Sequence, residues 1–480
     1  MKLNRFILII IFLISIVSCD DFLDTPSKSQ ISLSGFWQTR SDAELGVAAI
    51  YDAMQKALET NFWNWGELRG DNFILNDRPD ASAEAVISNN LTIGTDGSDW
   101  TTLYAAIANA NIAIEKIPEI SAFASQDGLL AQALTMRAML YFYAVRVWGD
   151  VPKITESIKE ASGDINKPRS PKMEIYNDII LPDLVRAESL IQTDANMNFI
   201  SRGSLLALKA HVYAWPGQHR NYQITLDAIN ELETLGYALE TTPEGWINIF
   251  QGNESSSEII FWLKWNFAED GNNGGVGAFS SGTPNLVPAE TLETKWESSI
   301  PGDYRIPETA AFDIEITNPD EFPFLRTLTK YLGVFTDRRD QQDASAVNDV
   351  DVPMFRLSEL LLLKAEAQNY LGNGSAALGI LNEIRTARTL PILVDGTDVD
   401  SGNQIEMRDL ILDERQFELV GEGQRFWDLV RNGVAVEVMS QVTDIKGNSN
   451  GLDNENEILW PISQNVLNRN PNIEQNEAYK

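Results

Sequence analysis

Residues 359–388 read ELLLLKAEAQNYLGNGSAALGILNEIRTAR, and this stretch decides the fold. Leucine and alanine recur at three-to-four spacing from Glu359 to Leu371, then Gly372-Asn373-Gly374 breaks the run. A second helical pattern follows from Ala376 to Arg388. Two helices joined by so short a turn lie antiparallel. Ala365, Gly372 and Ala377 supply the small side chains that let such a pair approach closely.

Small residues seven and twelve positions apart are the spacing of a tetratricopeptide repeat, although the later small position falls on Ile384. Residues 204–236 give a weaker echo. Such a hairpin cannot bury its faces alone and has to stack on others. Further helices are predicted over 42–58, 101–117, 129–148, 173–191, 204–215, 225–235, 355–371 and 408–431, the last broken at Gly421-Glu422-Gly423. The first is expected to turn Leu45, Ala48, Ala49 and Met54 inward. The fold class is therefore mainly α: about four tetratricopeptide-like helix pairs as scaffold, with one irregular segment, 241–351, carrying short strands. Glu258–Leu263 is the strand candidate, and Gly271–Gly277 is loop.

The N-terminus sets the location. Lys2 and Arg5 precede an apolar run from Phe6 to Val17, too short for the ~20 residues of a membrane span. Ile16-Val17-Ser18-Cys19 closes it and resembles a bacterial lipobox. Residues 1–18 are then a signal peptide, Cys19 is the lipidation site, and 19–30 form an acidic tether. Asp20, Asp21 and Asp24 just after the anchor resemble the surface-export signals of some Gram-negative lipoproteins. Residues 31–480 form one domain with parts 31–240, 241–351 and 352–480. Cys19 is the sole cysteine, so the mature chain has no disulfide, thiolate metal site or cysteine nucleophile. The formal charge of −32 becomes −34 once Lys2 and Arg5 leave with the signal peptide. A body so acidic repels nucleic acid and anionic head groups and favours neutral or cationic ligands.

Several blocks together resemble the SusD/RagB family of outer-membrane nutrient-binding lipoproteins. Arg137–Tyr143 followed by Trp148-Gly149-Asp150-Val151-Pro152 is similar to that family's hallmark helix and its exit, and Phe355–Ala367 to its core helix. Asp413–Leu419 and Glu422–Arg431 match a third block. Leu459-Trp460-Pro461-Ile462, Asn470-Pro471-Asn472 and Gln475-Asn476 resemble the C-terminus, with Ser463 in place of a usual proline and Glu477-Ala478 in place of Pro-Gly. The resemblance implies a SusD-like fold and an extracellular-facing lipoprotein anchored in the outer membrane. It also implies a protein that captures oligosaccharide, or peptide in the RagB branch, as the lid of a SusC-like TonB-dependent barrel transporter. No enzymatic activity, cofactor or metal is expected.

Sugars present apolar C–H faces ringed by hydroxyls, so a site needs aromatic platforms beside planar polar groups. Of the 12 tryptophans, Trp100, Trp148, Trp427 and Trp460 read as core and Trp215 as a helix end. The ligand-binding candidates are Trp65, Asn72, Asp77 and Arg78 near the N-terminus, and Trp265, Phe267, Phe279, Trp296 and Tyr304 in the excursion. Glu414, Arg415, Glu418, Glu422, Arg425, Asp428 and Arg431 alternate in sign among core-type aromatics. They read as a packed ion-pair network, not as a glycosidase's carboxylate pair about 5–10 Å apart. Arg69-Gly70-Asp71 is a chance tripeptide, Asp398–Gly402 an acidic surface loop without EF-hand spacing, and His211 with His219 too few for zinc.

Overall fold

The computed structural model describes residues 33–75, 81–157, 166–191, 197–251, 256–270, 286–297, 303–305, 310–311, 327–328, 330–331, 351–443, 448–449 and 451–480. The principal helices are α1 (Arg40–Leu58), α2 (Thr101–Lys116), α3 (Gln126–Trp148), α4 (Leu181–Leu190), α5 (Arg202–Ala214), α6 (Tyr222–Glu233), α7 (Leu357–Tyr370), α8 (Gly374–Ala387), α9 (Gln404–Leu419) and α10 (Arg425–Arg431). They pair as α1/α2, α3/α4, α5/α6 and α7/α8, and each pair stacks on the next through α2 on α3, α4 on α5 and α6 on α7. These are the four helix pairs expected. None of the described helices is long and apolar enough to cross a membrane.

Local chemistry sets the boundaries. Thr39 and Asp42 form a reciprocal capping box at α1, and the Asn403 side chain caps α9. A turn of π-helix over Tyr176–Ile180 leads into α4. From Leu129 to Trp148 every residue of α3 but Gln132 is buried, so α3 is the central post of the N-terminal half. Inside it, Arg137 forms a bidentate pair with Asp183 of α4, both N···O distances being 2.7 Å.

Two expectations need correcting. The buried face of α1 is Ala43, Gly46, Val47, Ile50, Met54, Ala57 and Leu58, so Met54 points inward as expected while Leu45, 57 % exposed, and Ala48 and Ala49 face outward. This stripe keeps three-to-four spacing, and Gly46 faces the Trp37 ring so closely that a Cβ would overlap it. The helix expected from Phe355 begins at Leu357, because Val352–Arg356 is a strand (β4) antiparallel to Ile259–Leu263 (β2). Sheet pairing and the ion pairs of Arg356 outweigh the helical preference of that turn. A second antiparallel pair joins Phe73–Leu75 (β1) to Leu286–Pro288 (β3), tying the excursion to the N-terminal half. The tail closes on α3: the Trp460 amide donates to the Val147 carbonyl (2.8 Å), and Asn476 Nδ2 donates to Trp148 O and Trp460 O. Ser463, in place of proline, caps the following helix through Val466 N.

Candidate functional site

The alternating charges of α9 and α10 face inward. Glu418, fully buried, receives Arg356 Nη1 at 2.7 Å, Arg388 Nη2 at 2.6 Å and Arg305 Nη1 at 2.9 Å. Burial alone would raise its pKa. Arg388, Arg356 and Arg305 outweigh it and hold the carboxylate far below its ordinary value. Glu258, Glu414, Glu422 and Asp303 bring the carboxylates to five, against Arg305, Lys330, Arg356, Arg385 and Arg388. The partners reach across elements and not along one helix, as a simple i,i+4 ladder would, because that face of α9 packs on α8, β4 and the excursion. Asp303, Arg305 and Lys330 belong to the excursion, so this balanced network fastens it to the C-terminal helices. Carboxylates this buried and paired offer no sugar a route to them.

Arg69 and Asp71 are also interior. Arg69 donates to the carbonyls of Glu457 and Ile458, and Asp71 pairs with Arg425. Glu67 accepts from Gly421 N and Gly423 N, both at 2.9 Å, and from Asn72 Nδ2 at 2.7 Å. Burial pushes its pKa up to about 7 despite those donors. His211 contacts Glu359, and His219 stacks on Tyr176 at 3.8 Å. Among the described residues no three His, Cys, Asp or Glu side chains gather as a metal site.

The sequence candidates separate. Trp65 is 1 % exposed, its indole N–H bonded to Gly97 O and its ring edge-on to Trp148. Asn72 is wholly buried between Glu67 and Gln416. Both are core, and neither offers a surface to ligand. Tyr304 is half-buried against Trp246. Phe267 and Trp296 lie on helices Phe267–Asp270 and Glu290–Glu297. Cys19, Asp77, Arg78, Phe279 and the Gly271–Gly277 loop fall outside the described residues. Among the described residues nine tryptophans are buried, since the seams between helix pairs and strands take large rings that small aliphatics would leave hollow.

Trp265 leads to the candidate cleft. It sits at the end of β2, with its amide donating to Asp351 Oδ1 (2.9 Å), on the wall of a cleft of about 760 Å³. Tyr51, Asp52 and Gln55 of α1 and the Asn198-Phe199 segment also line it. Phe199 is 49 % exposed and rests edge-on against Tyr51, with centroids 5.6 Å apart. Gln55 Nε2 donates to Lys264 O (2.8 Å) and Asp270 Oδ2 (2.9 Å), and Asn266 N donates to the same carboxylate oxygen (2.8 Å). Lys264 Nζ lies 4.9 Å above the Trp262 ring and 3.0 Å from Asp351 Oδ2. The result is an apolar ring flanked by planar acceptors and donors held in fixed positions. Sequence reasoning found Trp265 and missed Phe199, Gln55 and Asp270. The signal for Phe199 is a lone aromatic beside two asparagines in the sequence Asn196-Met197-Asn198-Phe199.

Comparison with known proteins follows from this fold. The profile of the SusD family matches residues 301–479, and one described as starch-binding associating with outer membrane matches residues 21–213. SusD-like protein P38 of Formosa agariphila is 34 % identical over 98 % of this chain and 98 % of its own. The chain belongs to the SusD family. The starch-binding protein SusD of Bacteroides thetaiotaomicron is 34 % identical over 28 % of this chain and 22 % of its own length. A SusD superfamily crystal structure from the same organism superposes with a TM-score of 0.75 at 24 % identity, covering 91 % of this chain and 99 % of that one. For this SusD family member, that likeness shows the shared fold.

Proposed function

We propose that this SusD family protein is a cell-surface lipoprotein that captures oligosaccharide and acts as the lid of a SusC-like TonB-dependent barrel transporter. Cys19 carries the lipid, and the acidic tether lets the body stand clear of the bilayer, since two or more acyl chains anchor stably. Binding and hand-over are its whole task, with no bond made or broken. The single observation carrying the glycan reading at residue level is the Phe199–Trp265 cleft, an exposed ring fringed by Asp52, Gln55, Asn266 and Asp270. A pyranose stacks its C–H face on Phe199 and places hydroxyls on those side chains. The match to a starch-binding outer-membrane profile supports the same reading. Phe267, Phe279, Trp296, Tyr304, Asp77 and Arg78 remain proposed contacts from the neighbouring loops.

Peptide capture is the second reading, favoured by one observation: the cleft sets Lys264 against four carboxylates, Asp52, Glu269, Asp270 and Asp351. Basic peptides would suit it. Affinity electrophoresis of the mature chain through gels cast with neutral polysaccharides decides between them, alongside calorimetry with basic peptides. Retardation by one polymer supports glycan capture, and heat from the peptides alone moves the assignment to them.

A further inference from the structure

Among the described residues two aromatic rings are well exposed, Phe199 in the cleft and Tyr370 at the end of α7, 56 % exposed. Tyr370 borders a second cavity of about 490 Å³, between the start of α6, the end of α7, the start of α9 and the chain after α10. Its ring packs against Tyr222 at 4.5 Å, and the Arg220 guanidinium lies 5.5 Å from the Tyr222 centroid and 5.6 Å from that of Tyr370. Tyr222 is pinned in turn by its hydroxyl to Glu366, which the Arg431 fork holds at 2.7 Å. The platform is rigid before any ligand arrives.

Charge separates this groove from the cleft. Its walls carry three cations, Arg220, Arg408 and Arg431, against two carboxylates, Glu366 and Glu455, in a chain whose formal charge is −32. Arg431 is spent on Glu366 and Asp428, and Arg408 on Asp409. Arg220 has no carboxylate among the described residues. One Nη donates to the Arg431 carbonyl, and its Nε is buried without a hydrogen-bond partner. A guanidinium left in that state beside an exposed ring matches a ligand that brings both an apolar face and an acid group. The body's negative field is screened within about 8 Å at physiological salt, so the guanidinium of Arg220 governs binding in the groove.

We propose that the groove is a second saccharide site, specific for acidic sugars, in which the ring stacks on Tyr370 and a carboxylate or sulfate pairs with Arg220. This rests on the saccharide reading of the protein, but on different residues from the cleft. The test is calorimetry of the mature chain at low salt with trigalacturonate, its methyl ester, and a sulfated galactan tetrasaccharide. At least one acidic probe should bind, the ester should not, and which acid binds tells carboxylate from sulfate. Arg220→Gln and the exposed Tyr370→Ala should each weaken that binding about tenfold or more, through a lost charge-assisted hydrogen bond in the first and a lost stacking face in the second. Retardation by the neutral polymer should stay unchanged in both variants. Absence of heat from both acidic probes at millimolar concentration, equal binding of the ester, or full affinity in Tyr370→Ala would overturn the proposal. Loss of neutral-polymer binding in the wild type would instead count against the cleft.

Discussion

Replacing Glu418 by glutamine removes one negative charge from the interior and changes almost nothing in shape. Three arginines point at that carboxylate from 2.6 to 2.9 Å, and the Trp246 indole N–H also reaches it at 3.3 Å. The amide keeps one acceptor oxygen and turns an NH₂ towards donors. Four carboxylates then face five cations in a region where Arg305, Arg356 and Arg388 are each at most 1 % exposed. Breaking a buried pair by removing one partner costs about 3–5 kcal/mol, against at most about 1 kcal/mol for an exposed pair. Equilibrium denaturation of the mature chain, followed by tryptophan fluorescence, reads the difference. The loss should extend to the excursion, because Lys330 and Tyr331 hang on Glu422, Val420 and Gly421 beside the same network. Hydrogen exchange at residues 330–331 should quicken. A stability change below about 1 kcal/mol would show that these charges are effectively solvated and that the network behaves as an exposed pair does.

Glu67 gives a prediction in pH. Its folded pKa of about 7 lies above the ordinary 4.5, so its stabilising contribution is complete below pH 4.5 and lost as pH rises through 7. The span is about 3 kcal/mol, and subtracting the pH–stability curve of Glu67→Gln from that of the wild type should isolate it; parallel curves would contradict the assignment. Gly66→Ala should destabilise by about 1–3 kcal/mol, seen as a lower Tm, since its Cβ would stand 1.8 Å from Gly423 O and 2.6 Å from Trp427 Nε1. An unaltered Tm would mean that the two turns are not in contact. Trp265→Ala should cost about 3–5 kcal/mol of stability as a core truncation. Phe199→Ala, being exposed, should leave stability within about 0.5 kcal/mol while removing glycan retardation. The reverse pattern would place the sugar elsewhere.

Much of the scaffold was legible because helix signals are local. The 359–388 hairpin, the stop at Gly149 and the break at Gly421-Glu422-Gly423 announce themselves in consecutive residues. Gly149 and Gly423 adopt φ of +75° and +70°, which other residues rarely take. The face of α1 was misread because Leu45 looks more apolar than Gly46, whereas close packing against Trp37 selects the glycine. Phe355-Arg356 was misread because its partner strand lies some 90 residues earlier, beyond any local window. The site was harder still. A tryptophan in a loop and one under it look alike in sequence, so Trp65 and Trp265 carried equal weight; both proved buried, and only Trp265 borders the cleft. The cleft gathers residues 48–55, 198–199, 262–270 and 351, which no spacing rule joins. The charged blocks were recognised as a network, but their partners across β4, α8 and the excursion could not be read from α9 alone.

The most direct test of glycan capture is a crystal structure of the mature chain with an oligosaccharide cut from the polymer that retards it. Glycan capture at this site predicts a sugar ring against Phe199 in the cleft, with hydroxyls on Asp52, Gln55 or Asp270. A sugar bound away from that cleft, or an empty cleft at saturating ligand, would contradict it.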